Sequence, residues 1–227
     1  MISFKGGHYP KDVILYAVFF YVRYAVSYRD LEEIMEERGV NVDHATLNRW
    51  VIKYSASLAL EAKKRKRPVA TSWRLDETYI KIKGQWVYLY RAVDKFGDTI
   101  DFMLSEHRDE AAATAFIKKA INANGFPDKV VIDKSGANYA GLENINLLLM
   151  LAGLICFIEI LQVKYLNNIV EQDHRFIKKI TKPMMGFKAF HSAKATLDGI
   201  ETAHMIRKGQ LTDKNIPAYQ QFMALAG

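Results

Sequence analysis

Trp73-Arg74-Leu75-Asp76-Glu77-Thr78-Tyr79-Ile80-Lys81-Ile82 is rich in β-branched and aromatic residues, and it marks where the chain turns from helical to alternating periodicity. Lys83-Gly84-Gln85 reads as a turn into a second strand over residues 86–93. Asp94-Lys95-Phe96-Gly97-Asp98 is a further turn, into a third strand over residues 99–104. Three strands joined by short links predict an antiparallel meander. Asp109 then caps an alanine-rich helix over residues 110–124, ended by Gly125. Lys129-Val130-Val131-Ile132 has the continuous apolar character of a buried parallel strand, with Asp133 at its carboxyl end. A meander followed by a crossover helix allows strands one and four to lie side by side. Asp76 and Asp133 would then meet although 57 positions separate them. The fold class is α/β, and the carboxyl ends of such strands are where ligands sit.

Upstream the pattern is helical. Pro10 suits the first turn of a helix over residues 11 to about 24. Ser27 and Asp30 form a capping box opening a helix through Leu31, Ile34 and Met35, which Gly39 ends. Asp43 caps a third helix whose Leu47, Trp50, Val51, Tyr54 and Leu58 recur at spacings of three and four, leaving Asn48, Arg49 and Lys53 on the wetter side. The short link at residues 39–42 has the length of a helix-turn-helix, in which the later helix enters a major groove. Asn48 and Arg49 match purine edges chemically, although small helical hairpins also serve as plain scaffolding. Lys63-Lys64-Arg65-Lys66-Arg67-Pro68 is a dense cationic block that ends this region.

The chain has 227 residues and a net charge of +7. The excess sits at the two ends: residues 1–70 carry 12 basic and 8 acidic side chains, residues 71–160 carry 10 and 12, and residues 161–227 carry 10 and 5. Basic ends around a mildly acidic centre suit a polyanion partner, with the centre free to hold cations. The apolar runs at residues 13–22 and 147–158 are shorter than the ~18 residues a membrane span needs, and both read as buried segments. Cys156 is the single cysteine, so no internal disulfide or thiolate zinc cluster is expected. With no export pattern at the front, a cytoplasmic location without membrane contact follows as an expectation.

A third carboxylate lies on the helix expected after Leu166-Asn167-Asn168. With Glu171 at angle zero, Arg175, Lys178 and Lys182 fall within about 40° of it, and Phe176, Ile177 and Ile180 lie on the far side. Surface pairing alone could account for such a face. Phosphoryl transfer gives it another meaning. Two divalent cations clamp the attacking and leaving oxygens of an in-line displacement, and magnesium asks for oxygen ligands only. Asp76 would bridge both ions, Asp133 and Glu171 would each complete one, and Lys178 would contact phosphate. Manganese would substitute for magnesium.

Asp76-Glu77-Thr78-Tyr79-Ile80-Lys81, Gly84-Gln85-Trp86-Val87-Tyr88-Leu89-Tyr90-Arg91-Ala92-Val93-Asp94, Ile132-Asp133-Lys134-Ser135-Gly136-Ala137-Asn138 and Lys164-Tyr165-Leu166-Asn167-Asn168-Ile169-Val170-Glu171-Gln172-Asp173-His174-Arg175-Phe176-Ile177-Lys178-Lys179 together resemble the transposases of the IS6 family of bacterial insertion sequences. The resemblance implies a ribonuclease-H-like mixed-sheet catalytic core of the DDE, retroviral-integrase-like type, preceded by an all-helical helix-turn-helix domain. It places the catalytic triad on Asp76, Asp133 and Glu171 and a basic residue at Lys178. It also implies recognition of terminal inverted repeats, and cointegrate formation.

The expected domains are 1–67 for helix-turn-helix DNA binding, 68–210 for catalysis and a tail at 211–227. The expected activity is nicking at element ends to give 3′ hydroxyls, followed by strand transfer into target DNA. A non-catalytic DNA-binding protein and a metal-dependent nuclease without strand transfer are the alternatives. Asn48, Arg49, Lys53, Arg175, Lys178 and Lys182 are the expected DNA contacts, and double-stranded DNA and a second copy of the chain the expected partners. One departure stands out: 37 residues lie between Asp133 and Glu171, a few more than is usual in the family, with the excess expected in residues 144–158. Trp50, Trp73 and Trp86 read as packing residues, and His174 as a residue either at the site or on the surface.

Overall fold

The computed structural model describes residues 2–5, 8–154, 157–211 and 215–227, so Cys156 lies outside the described residues. Two compact units make up the chain: Met1–Arg67 together with Ile177–Gly227, and Pro68–Phe176.

The helical unit begins with α1 (Lys11–Arg23), α2 (Tyr28–Glu36) and α3 (His44–Arg65). Both expected caps are present. Ser27 and Asp30 exchange side-chain and backbone hydrogen bonds in a capping box, and the Asp43 carboxylate accepts from the Thr46 N–H at 2.9 Å. The His44 ring bonds Glu32 at 3.0 Å, tying the start of α3 to α2. Lys63, Lys64 and Arg65 occupy the last turn of α3, where cations complement the helix dipole. The chain then turns extended at Lys66, which bridges to Leu211.

In the second unit lie β1 (Ser72–Ile82), β2 (Gln85–Asp94), β3 (Thr99–Ser105), α4 (Glu110–Asn124), β4 (Lys129–Ile132), α5 (Gly136–Leu151) and β5 (Glu159–Gln162). A 3-10 turn at Lys164–Asn167 then leads into α6 (Asn168–Thr181). The sheet order is β3-β2-β1-β4-β5. Its first three strands are antiparallel, and β4 and β5 join in parallel. The expected meander and the β1–β4 adjacency are both present, and this order is the ribonuclease-H-like arrangement. Lys83 and Gly84 make the β1–β2 turn with φ of 50° and 80°, the twist a two-residue hairpin favours. One sheet face is apolar: Trp73, Leu75, Tyr90, Ala92, Val130 and Ile132 pack with Phe116 and Ile117 of α4 and Leu142 of α5. Because strand side chains alternate, Asp76 belongs to the other face.

After α6 come a 3-10 turn at Lys182–Met184, α7 (Phe190–Arg207) and α8 (Ala218–Ala224). α7 packs into the helical unit so closely that a Cβ on Gly199 would lie 2.6 Å from Ser55 Oγ of α3 and 2.7 Å from Val22 Cγ1 of α1. Phe222 of α8 is fully buried and meets the Phe19 ring at 5.2 Å.

By packing, residues 177–210 group with the N-terminal helices, and α8 lies within residues 215–227. Two expectations need correction. The apolar run at 147–158 is not a buried segment. Leu147, Leu148, Met150, Leu151, Leu154 and Phe157 are exposed, because α5 turns only Asn138, Gly141, Leu142, Ile145 and Leu149 inward. Trp86 is 61% exposed, whereas Trp50 and Trp73 are buried.

Candidate active site

Asp76 sits mid-strand in β1, and Asp133 follows the last residue of β4. The parallel register pairs Arg74 with Val131, and continued two positions it sets Asp133 beside Asp76. Both then belong to the face opposite the α4–α5 core. The Asp133 carboxyl is held above the ordinary carboxylate range by burial first, then by the charges of Asp76 and Glu77. The Ser135 N–H donates to it at 3.0 Å, a partial offset that Arg108 reinforces.

Asp76 has a second neighbour. His174 Nε2 of α6 lies 3.2 Å from Asp76 Oδ2, and the imidazole is 5% exposed. The start of α6 is tied to the same strand through Asn167, whose buried amide donates to the Leu75 carbonyl at 3.1 Å. Beside His174, Asp173 pairs with Arg91 of β2 at 2.7 Å, both side chains being buried. Glu171 is exposed, three residues before His174 and hence on the same side of the helix. Among the described residues no group of three or more His, Cys, Asp or Glu side chains is gathered tightly enough to hold a metal ion. The structure brings Asp76 and Asp133 together; Glu171 lies on α6 about one turn before His174, the residue that meets Asp76.

The turn that carries Asp133 is fastened from behind by Glu77. Its carboxylate accepts from Asn138 Nδ2 at 2.8 Å and from Arg108 Nε at 2.6 Å, and the side chain is 2% exposed. Across the β1–β2 pair, burial and then the Glu77 charge push the Tyr90 hydroxyl up to about 12. Glu77, Asn138, Arg108 and Arg91 were not singled out from the sequence. A signal existed for Glu77: alternation puts it on the core face with Leu75, where a carboxylate requires partners.

Residues 70–210 match a family described as a DDE domain. Over 209 residues the chain is 43% identical to the transposase for insertion sequence-like element IS431mec of Staphylococcus aureus strain N315, a match covering 92% of this chain and 90% of the relative. Identity and coverage are the same with the transposase for insertion sequence element IS257 in transposon Tn4003 of Staphylococcus aureus. The chain belongs to the IS6 family of DDE transposases. Among solved structures, the catalytic core domain of BIV integrase is similar at 14% identity and a TM-score of 0.46, covering 68% of this chain and 95% of that one. The HTLV-2 integrase catalytic core domain in complex with magnesium is similar at 15% identity and a TM-score of 0.40, covering 71% and 86%.

The cations expected to touch DNA are placed as follows in the transposase. Arg175 and Lys178 are exposed on α6, while Lys182 lies beyond it in the 3-10 turn. Ile177 and Ile180 of α6 are buried, as the helical spacing required. On α3, Arg49 and Lys53 are exposed and Asn48 is half-buried. The Arg49 guanidinium donates to Thr46 Oγ1 at 2.6 Å, and the Lys53 ammonium lies 5.0 Å from the Tyr54 ring centroid. No helix among the described residues is long and apolar enough to cross a membrane.

Proposed function

We propose that this transposase binds the terminal inverted repeats of its element, nicks them to expose 3′ hydroxyls and transfers those ends into target DNA. The observation that carries the reading is the pair Asp76 and Asp133, set side by side by two parallel strands and electrostatically crowded. Such a pair offers carboxylate oxygens that are partly exposed, and burial with mutual repulsion outweighs the offset from Arg108 at Asp133, which fits Mg²⁺ or Mn²⁺. Asp76 and Asp133 would hold the metal, with Glu171 as third ligand and two ions per site. Bound there, the ions supply an activated hydroxyl and stabilisation of the departing oxygen.

The chain's own residues do the remaining work. His174 keeps the Asp76 carboxylate in one orientation, and Glu77 with Asn138 keeps the Asp133 turn in place. Arg175, Lys178 and Lys182 lie along the exposed side of the Glu171 helix and its extension, where they neutralise DNA phosphates. The α2–α3 pair serves as a helix-turn-helix, with Asn48, Arg49 and Lys53 toward the repeat. Joining two ends to one target needs two end-binding surfaces in fixed relation, so the working species is a homodimer or a higher homo-oligomer. The exposed apolar end of α5 offers surface for such a contact.

Asp76→Asn, Asp133→Asn and Glu171→Gln keep volume and polarity but remove charge. Each should fold and bind repeat ends while nicking and joining fall by several orders of magnitude in Mg²⁺. A Glu171→Gln variant that joins repeat ends at the parental rate would move the third ligand elsewhere, with Glu143 and Glu159 next to be tested.

A further inference from the structure

Arg91 is directly opposite Asp76 in the β1–β2 register, so the two side chains share a sheet face. It is completely buried, and its guanidinium holds Asp173 at 2.7 Å. The next residue of α6, His174, holds Asp76 at 3.2 Å. Two consecutive helix residues thus grip two directly opposed strand residues. Consecutive positions on a helix differ by about 100° around its axis. One grip would leave the helix free to roll about that contact, whereas two grips at different angles fix its rotation and its position along the axis.

We propose that the Arg91–Asp173 pair is a positioning clamp that sets where α6 carries Glu171 relative to Asp76 and Asp133. The proposal rests on the reading of Glu171 as third ligand. A roll of ~20° displaces a side-chain tip ~6 Å from the axis by about 2 Å. Metal–oxygen distances tolerate only about 0.2 Å, so a helix free to roll could not bring Glu171 onto the ions that Asp76 and Asp133 would hold. Stability alone explains the pair poorly, since replacing a buried ion pair by apolar residues of similar volume is often neutral or stabilising.

The test uses the full chain and three variants. Arg91→Met/Asp173→Leu removes both charges together and leaves no orphaned buried ion. Asp173→Asn keeps the volume and an acceptor for Arg91. Glu171→Gln reports on the third-ligand reading itself. Each is measured for thermal unfolding, for Mn²⁺ binding without DNA by titration calorimetry, and for joining of repeat-end DNA. The double variant should unfold within a few degrees of the parent, yet bind Mn²⁺ about 10-fold more weakly and join ~10–100-fold more slowly, as loss of an outer partner of a metal ligand does. If the double variant does not fold, Asp173→Asn decides: the same loss of Mn²⁺ affinity supports the clamp, and parental affinity overturns it. Folded double variants with parental Mn²⁺ binding and joining also overturn it, provided Glu171→Gln has lost both. If Glu171→Gln retains both, the third-ligand reading fails, and the clamp falls with it.

Discussion

Asn138 reaches back 61 positions to donate a hydrogen bond to Glu77 at 2.8 Å, fastening the start of α5 to β1 immediately beside Asp76. The bond is buried at both ends, and the segment it secures is the one that carries Asp133. Asn138→Ala leaves part of a buried carboxylate without its donor, at a cost of about 1–3 kcal/mol. For a chain of this size that lowers Tm by roughly 2–4 °C per kcal/mol. Differential scanning calorimetry should show the drop, and joining should fall with it; an unchanged melt would mean that Arg108 alone satisfies Glu77.

Burial first, and then the charges of Asp76 and Glu77, disfavour the charged form of Asp133. Asp133→Asn removes the repulsion from Asp76 and Glu77 while keeping an oxygen for the Ser135 N–H. In a divalent-free buffer the variant should therefore melt higher than the parent, by roughly 1–3 °C. Added Mg²⁺ should raise the parent's melt more than the variant's. A variant that melts lower in chelator would show that the native turn tolerates the charge without a metal.

Metal removal separates the proposed site from any zinc chemistry. Joining should stop when Mg²⁺ and Mn²⁺ are both withdrawn, return with either, and survive a chelator selective for zinc. Full activity after exhaustive removal of both ions would contradict the carboxylate assignment.

The exposed side of α3 should read DNA. Arg49→Ala is expected to weaken binding to repeat ends by ~1–3 kcal/mol and relax discrimination at one base pair, whereas Lys53→Ala should mainly flatten the salt dependence. Filter binding across a salt series with matched and mutated repeats gives both quantities. Equal affinity and slope in both variants would place recognition elsewhere.

Gly199 admits α7 to the groove between α1 and α3. The added methyl of Gly199→Ala would fall within 3 Å of Ser55 and Val22, so it should cost about 1–3 kcal/mol. Urea titration followed by helical circular dichroism reads the loss; a shift of the midpoint below one tenth of the parental value would show that the helices separate freely.

The meander, α4 and β4 were legible because each is bounded by an unambiguous signal: alternation in Trp73 to Ile82, the Asp109 cap, the positive-φ glycines and the run Val130-Val131-Ile132. Those same signals put Asp76 beside Asp133. β5 was not legible, since Glu159-Ile160-Leu161-Gln162 is too short to show a period and takes its strand form from pairing with β4. Nor was the Arg91–Asp173 pair. An arginine in a strand looks solvent-facing until the register puts it opposite Asp76, and Asp173 reads as one more charge in a polar helix. The exposure of the α5 end escaped detection because apolar composition records what a segment could bury, not which side of a helix finds a neighbour. That α7 and α8 join the N-terminal helices is encoded across more than 120 positions, beyond the reach of any local pattern.

The helical unit is assembled from both ends of the chain, with the sheet unit inserted between them. During synthesis α1, α2 and α3 leave the ribosome before the sheet, but the groove between α1 and α3 stays unfilled until α7 emerges, its first residue 125 positions after the end of α3. The sheet, whose residues run without interruption from 68 to 176, can close in the meantime. A chain that stops before α7 therefore holds every residue of the sheet unit and yet leaves the helical unit without the helix that fills its groove.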